Sequence, residues 1–380
     1  MNELLTRAVE EIVPPELGEE KLKSGKKLRV YLGIDPTGSR LHVGHAVALR
    51  KLQAFADAGH EVVFLIGSYT AMIGDPTGRD QMREPLTKEE VEKNFKTYKE
   101  QASKVLDFSK IEIRYNDEWL SKLTGEDFLK IASNFTVQQM LQRDMFKKRM
   151  AKGEDLSPTE FLYPLMQGYD SVMLDVDCEI GGNDQLFNML CGRKLQKAYG
   201  KRDKFVLTTK LIEGTDGRKM SKTYNNCIYL DDKPSEMFGK VMRVEDSLMA
   251  TYFECCTDVP LDEVKKILKG DARSAKIRLA REIVTMYHGA EGAEGAEVHY
   301  NQAAAGGVPE DAPEVKAKKG TLLIDFLVEQ KLIASKSEGR RMIEQGGVKH
   351  NDAVVDSIEA VVEEGEYKIG KRKFVKIKYI

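Results

Sequence analysis

The chain has 380 residues, enough at roughly 150 residues per domain for two or three domains around a sizeable core. Its 59 Lys and Arg against 61 Asp and Glu leave a formal net charge of −2, which excludes a uniformly basic protein that coats nucleic acid but not local basic patches. With 41% hydrophobic and 32% charged residues, and aliphatic runs as short as Val62–Ile66, a disordered chain and a membrane-spanning helix are excluded as well.

The first residues carry Glu3, Glu10, Glu11, Glu16, Glu19 and Glu20, so neither a secretory nor an Arg-rich transit signal is expected, and the expected compartment is the cytoplasm. The cysteines are Cys178, Cys191, Cys227, Cys255 and Cys256, without a CxxC pair or a histidine at zinc-like spacing. Disulfides and a metal site are therefore not expected.

In chain order, Arg29–Ile34 reads as a buried strand, followed by an Asp35-Pro36-Thr37-Gly38 turn and a helix over about 44–58. Glu61–Ile66 is a second apolar strand. Thr87 with Glu90 forms a capping box that opens a charged helix towards Val105, and Ile111–Arg114 is a third strand. Strands alternating with helices imply βαβ units, a parallel sheet, and ligands at the carboxyl ends of its strands. Residues 117–153 read as a helical insertion. Ser157-Pro158-Thr159-Glu160 is a strong helix start, with a cap, an early proline and a glutamate three positions after the cap. Val176–Ile180 reads as a returning strand, then Gly181-Gly182 and a helix over about 184–199.

From Pro234 to about Tyr287 amphipathic helices dominate. Gly289–Glu297 repeats Gly-Ala-Glu and reads as a solvated helix or loop; Ala303–Gly320, rich in Ala, Gly and Pro, reads as a linker. The expected organisation is a parallel-sheet α/β domain over 1–223, a helical domain over 224–300, a linker over 301–319 and a small α+β module over 320–380.

Two segments carry phosphate chemistry. His42-Val43-Gly44-His45 places two of the six histidines in one turn that follows a strand and opens a helix. The N–H groups and dipole of a helix N-terminus favour anions, imidazoles donate to phosphoryl oxygens, and a glycine permits close approach of a purine. Lys219-Met220-Ser221-Lys222-Thr223 follows Asp216-Gly217-Arg218, so a turn presents two ammonium groups suited to the charge that builds as pyrophosphate leaves. Two surface histidines and a solvated basic loop are the ordinary alternatives for each segment alone. A third constellation, Tyr163, Gln167 and Asp170 at i, i+4 and i+7, lies on one face of the helix capped by Ser157; buried among apolar neighbours, such a stripe needs polar partners.

The first two segments resemble the HIGH and KMSKS signatures of class I aminoacyl-tRNA synthetases, with Val43 and Thr223 as mild departures. Tyr163–Asp170, Gly181–Gln185, Tyr31–Thr37 and Thr70–Pro76 resemble the tyrosyl-tRNA synthetase family. That resemblance implies a Rossmann-like catalytic domain that joins L-tyrosine to tRNA(Tyr) through tyrosyl-adenylate, with ATP and Mg²⁺ as co-substrate and no dedicated protein metal site. It also implies a homodimer. Residue by residue, it implies that Tyr31 and Asp170 bind the phenol hydroxyl, and that Thr70, Asp75, Tyr163 and Gln167 hold the ammonium group. Gly33, Asp35, Gly44, Gly182, Asp184, Gln185 and Lys222 are implied at the nucleotide and the reacting carboxylate; Thr37, His42, His45, Lys219, Lys222 and Thr223 are implied at the phosphates. Leu32 departs from the cysteine of some members and takes no polar role.

At the C-terminus, Ser335–Val348 resembles the S4-type RNA-binding fold, and the tail from Tyr367 to Ile380 is basic without an acidic residue. Arg340, Arg341, Lys371, Arg372 and Lys373 are the expected RNA contacts, by charge rather than base readout. A tryptophanyl-tRNA synthetase, a small-molecule nucleotidyltransferase and a non-catalytic RNA-binding protein are the competing readings. The Tyr163/Gln167/Asp170 stripe argues against the first, the lysine loop with the basic tail against the second, and the paired phosphate motifs against the third.

Overall fold

The computed structural model describes residues 2–38, 40–77, 86–221, 224–305, 312–351, 353–370 and 373–380. Lys222, Thr223, Lys371 and Arg372 lie outside them. The chain divides into two compact units, Met1–Asp232 with Lys240–Leu279, and Lys233–Gly239 with Ala280–Ile380. Residues 224–300 are thus shared between the two.

The first unit is built on a six-stranded sheet of β1 (Val9–Val13), β2 (Arg29–Ile34), β3 (Glu61–Ile66), β4 (Ile111–Tyr115), β5 (Cys178–Gly182) and β6 (Phe205–Thr209), in the order β1-β6-β5-β2-β3-β4. All neighbours are parallel except β1, which runs antiparallel to β6. The central strands are continuous aliphatic runs because helices cover both faces of a parallel sheet. The chain leaves β2 towards β3 and β4 on one side, and returns through β5 and β6 on the other. The strand order therefore reverses between β2 and β5, the place where such sheets open a crevice at their carboxyl edge.

The helix Val43–Asp57 and the Thr87 capping box match the expectation, as do the insertion helices between Asp117 and Ala151. The insertion is no appendage: Trp119, Leu120, Ile131 and Met140 share one core with Tyr31, Val63 and Leu65 of the sheet and with Leu165, Met166 and Val172. The returning strand begins two residues later than expected. Gly181 and Gly182, expected to follow the strand, are its last rungs, paired with Thr208 and Thr209. Asp177 falls outside the strand and instead accepts from the Arg29 N–H at 2.9 Å and Lys21 Nζ at 2.6 Å. Strands β1 and β6 carry no turn chemistry on both flanks and escape sequence reading.

The helix Pro158–Leu174 starts at Ser157 as expected, and its Glu160 closes the capping box by accepting from the Ser157 N–H at 2.9 Å. The same carboxylate forms a buried ion pair with Arg149, whose guanidinium also donates to the Asp155 carbonyl. Further along, the helix meets Leu186–Ala198 with glycine against glycine. A Cβ on Gly168 would lie 3.2 Å from the Gly192 nitrogen, and one on Gly192 would lie 2.4 Å from Ser171 Oγ.

In the second unit, the Gly-Ala-Glu repeat lies within helix Ala272–Ala305, interrupted by Gly289 at φ 77°. Ala293 and Ala296 are buried while Glu291 and Glu294 face solvent, so the three-residue period lines one helical face. Part of the expected linker is a strand: β7 (Glu314–Ala317) pairs in parallel with β11 (Lys373–Tyr379). With β8 (Val348–His350), β9 (Ala353–Val354) and β10 (Gly365–Ile369) they form a five-stranded sheet. Helices Leu323–Glu329 and Lys336–Glu344 precede β8, the expected helix pair before a small sheet.

Removing Glu160 leaves the buried Arg149 guanidinium with only one carboxylate, that of the partly exposed Glu154 at 3.8 Å. Glu160→Ala is expected to lower stability by about 3–5 kcal/mol, measured as the shift of the denaturant unfolding midpoint against the wild type.

Candidate active site

A cavity of about 380 Å³ opens at the carboxyl ends of β2, β3, β5 and β6, bordered by Gly33, Ile34, Leu65, Gly181, Gly182 and Thr209. It therefore occupies the crevice where strand order reverses. Of the expected site residues, Gly33, Asp35, Thr37, His42, Gly44, His45, Thr70, Asp75, Tyr163, Gln167, Asp170, Gly182, Asp184, Gln185 and Lys219 all line it.

Asp170 is buried on the Pro158 helix, where its carboxylate accepts from the Trp119 indole N–H at 2.8 Å and from Asn116 Nδ2 at 3.2 Å. The orientation of Asn116 is set by chemistry: its Oδ1 accepts from the Tyr69 N–H at 2.8 Å, so its amide nitrogen faces Asp170 and Thr70. Burial pushes the Asp170 carboxyl well above the usual range; the Trp119 and Asn116 donors act in the opposite sense, and the carboxylates of Glu179 and Asp35 add to the rise.

Asp35 was expected beside the nucleotide. Its carboxylate instead accepts from Thr70 Oγ1 at 2.7 Å and from the Tyr163 hydroxyl at 2.9 Å, two residues expected at the ammonium group. It thus ties β2 to that cluster. Asp75 accepts from Gln185 Nε2 at 2.8 Å and from the Thr77 N–H at 2.9 Å.

Tyr31, expected against the substrate phenol, does not border the cavity: its side chain is buried, close enough to Asp170 to feel its charge, and its hydroxyl lies 2.9 Å from Ser171 Oγ. The ring of Tyr31 packs in the core that the insertion residues Trp119, Leu120, Ile131 and Met140 share with the sheet.

The two histidines stack, ring centroids 3.7 Å apart at 25°. The His42 N–H donates to His45 Nδ1 at 3.3 Å, which places the proton of a neutral His45 ring on Nε2. Gly44 is required here sterically, because a Cβ would lie 2.9 Å from His42 Nδ1. This turn is joined to the chain beyond the lysine loop: Val43 N donates to the Ile228 carbonyl at 2.9 Å, and Leu230 N to the Leu41 carbonyl at 3.0 Å. At the base of that loop, buried Asn226 accepts from the Ser221 N–H at 2.8 Å and donates to Asp216 at 2.7 Å and to the Lys219 carbonyl at 3.2 Å. Lys219 Nζ reaches Asp184 at 3.3 Å.

Asn116, Trp119, Glu179, Lys204 and Asn226 escaped the sequence reading. A signal existed for some: Trp119 is the sole tryptophan, three residues after Asn116 at the end of a strand, and Glu179 is a charge inside an apolar strand.

In the second unit, Arg340 and Arg341 are exposed on helix Lys336–Glu344, while exposed Lys373 donates to the Leu332 carbonyl.

Residues 23–304 match the family described as tRNA synthetases class I (W and Y). The chain belongs to that family, and its parallel sheet brings the His42–His45 turn and Lys219 to one crevice. Within the family the chain belongs to the tyrosyl-tRNA synthetases, class I enzymes that use ATP to charge tRNA(Tyr) with tyrosine. Residues 304–378 match the tyrosine–tRNA ligase SYY-like C-terminal domain. Tyrosine–tRNA ligase 2 of Vibrio vulnificus is 45% identical over 383 residues, covering 98% of this chain and 97% of that protein. Tyrosine–tRNA ligase of Burkholderia thailandensis is 47% identical, covering 98% and 93%. Among solved structures, the C-terminally truncated mitochondrial tyrosyl-tRNA synthetase of Aspergillus nidulans superposes with a TM-score of 0.66 at 26% identity, covering 77% of this chain and 91% of that one.

Replacing Trp119 by Phe removes the indole donor to Asp170 while keeping an aromatic ring in the core. KM for tyrosine is expected to rise about tenfold, the worth of one charge-assisted hydrogen bond, with KM for ATP unchanged in steady-state pyrophosphate exchange.

Proposed function

We propose that the 380 Å³ cavity holds tyrosine with its phenol on Asp170 and its ammonium group among Thr70, Asp75, Tyr163 and Gln167. The nucleotide lies along Gly33, Gly44, Gly182, Asp184 and Gln185, with its phosphates towards Thr37, His42, His45, Lys219, Lys222 and Thr223. The observation that carries this reading is that Asp170, held by two N–H donors, and the stacked histidines border one void.

Activation needs no general base, because the attacking carboxylate carries no proton, and in the transfer step the departing AMP phosphate takes the proton of the ribose hydroxyl. The tyrosine carboxylate attacks the α-phosphorus, and pyrophosphate departs as imidazole and ammonium donors take up its charge; a hydroxyl of the terminal tRNA ribose then attacks the acyl carbon and AMP leaves. Positioning and stabilisation of phosphoryl charge supply the rate. Mg²⁺ arrives as the counter-ion of the ATP phosphates, and no residue is assigned to it. Phenylalanine brings apolar hydrogen where Asp170 wants a donor, and a buried carboxylate short of a partner penalises it.

Residues 224–300 contact the anticodon in this reading, and the 320–380 module grips RNA phosphates through Arg340, Arg341, Lys371, Arg372 and Lys373. The enzyme acts in the cytoplasm as a homodimer. Exposed Leu129 and Val137 on the insertion helices Gly125–Ala132 and Val137–Leu141 offer an apolar surface for pairing. Among the described residues no helix is long and apolar enough to cross a membrane.

Pyrophosphate exchange measured with each of the standard amino acids is expected to proceed with tyrosine alone; exchange with tryptophan, or with none, overturns the reading. For RNA, Arg340→Gln with Arg341→Gln is expected to lower the slope of log affinity against log salt by about two, with pyrophosphate exchange unaffected.

A further inference from the structure

Lys204 and Glu179 form an ion pair from which solvent is excluded, their side chains 0% and 2% exposed. Neither belongs to the expected machinery, yet Glu179 borders the cavity. A buried ion pair is a poor stabilising device compared with apolar packing, so what else it holds matters.

The pair sits in a cluster of buried hydrogen bonds that reaches the cavity. Lys204 Nζ donates to Ser171 Oγ at 2.7 Å and to Glu179 Oε2. The Ser171 hydroxyl has one proton, and it goes to Glu179 Oε2 at 3.3 Å. The Tyr31 hydroxyl lies 2.9 Å from Ser171 Oγ and is also hydrogen-bonded to Glu179. The remaining oxygen, Glu179 Oε1, accepts from Gln167 Nε2 at 3.2 Å. A carboxylate paired to an ammonium group can only accept, so it takes the Gln167 amide by its nitrogen and leaves Oε1 of that amide as the acceptor. A carboxylic acid or an amide at position 179 could donate to the Gln167 oxygen instead and turn an N–H donor towards the ligand.

We propose that Lys204 and Glu179 are positioning residues for the ammonium subsite: Lys204 holds Glu179, and Glu179 holds the Gln167 amide with its oxygen towards the amino group of bound tyrosine. This rests on the reading that Gln167 faces that ammonium group. A cation that would otherwise meet a donor thereby meets an acceptor, and the pair sets the preference for an α-ammonium ligand without touching it.

The test compares binding of L-tyrosine, tyramine and 3-(4-hydroxyphenyl)propionate, which lacks the amino group, to the full chain by calorimetry. The variants are Lys204→Met with Glu179→Gln, which removes both charges together, Glu179→Gln alone in case the pair variant does not fold, and Gln167→Ala. Affinity for tyrosine and tyramine is expected to fall about tenfold in the folded position-179 variant, while affinity for the propionate stays within about twofold. Equal losses for all three ligands, or no loss for any, overturns the proposal. If Gln167→Ala leaves the ratio of tyrosine to propionate affinity unaltered, the reading of Gln167 itself fails and the proposal with it. If Gln167→Ala collapses that ratio and the position-179 variant does not, the proposal alone fails.

Discussion

A buried carboxylate must find donors or give up its charge, and the site is organised by that requirement. Asp35, Asp75, Asp170 and Glu179 converge on one crevice, and each is held by hydrogen-bond donors from elements far apart in sequence: Thr70 and Tyr163 on Asp35, Gln185 on Asp75, Trp119 and Asn116 on Asp170, Lys204 on Glu179. These donors come from β-strand ends, the insertion and the Pro158 helix. Satisfying the acids therefore fastens the layers of the domain to one another around the cavity.

The switch point makes this convergence possible. Because β2 and β5 are neighbours whose connections leave in opposite directions, their carboxyl ends carry two loops that do not compete for space, one bearing Asp35 and the histidine turn, the other Gly182 and Asp184. Backbone hydrogen bonds at Val43 and Leu230 join the histidine turn to the segment that follows the lysine loop.

Much of this was legible beforehand. The aliphatic runs of β2 and β3 and the caps at Thr87 and Ser157 follow from local rules, and fifteen of the sixteen described residues expected at the cavity line it. What stayed hidden depends on long-range pairing. Lys204 looks like any charge before a strand until Glu179 is placed beside it, and Asn226 looks like a loop residue until the Asp216 turn folds back on it. Tyr31 sits in a motif that resembles a substrate contact, but the pleat of β2 and the packing of the insertion decide which face its ring takes. Strands β1 and β7 are short and draw their identity from the partners they join.

The contact between Gly168 and Gly192 has a consequence for remodelling the pocket. The helix that carries Tyr163, Gln167 and Asp170 rests on its neighbour with main chain nearly touching main chain, so the junction has no bulk to trim and no room to add any. New amino acids can be accommodated by exchanging the groups that look into the void, but the platform bearing them cannot be slid or tilted to enlarge it. Chemical diversification of this scaffold is confined to swapping its teeth, with the jaw itself immovable.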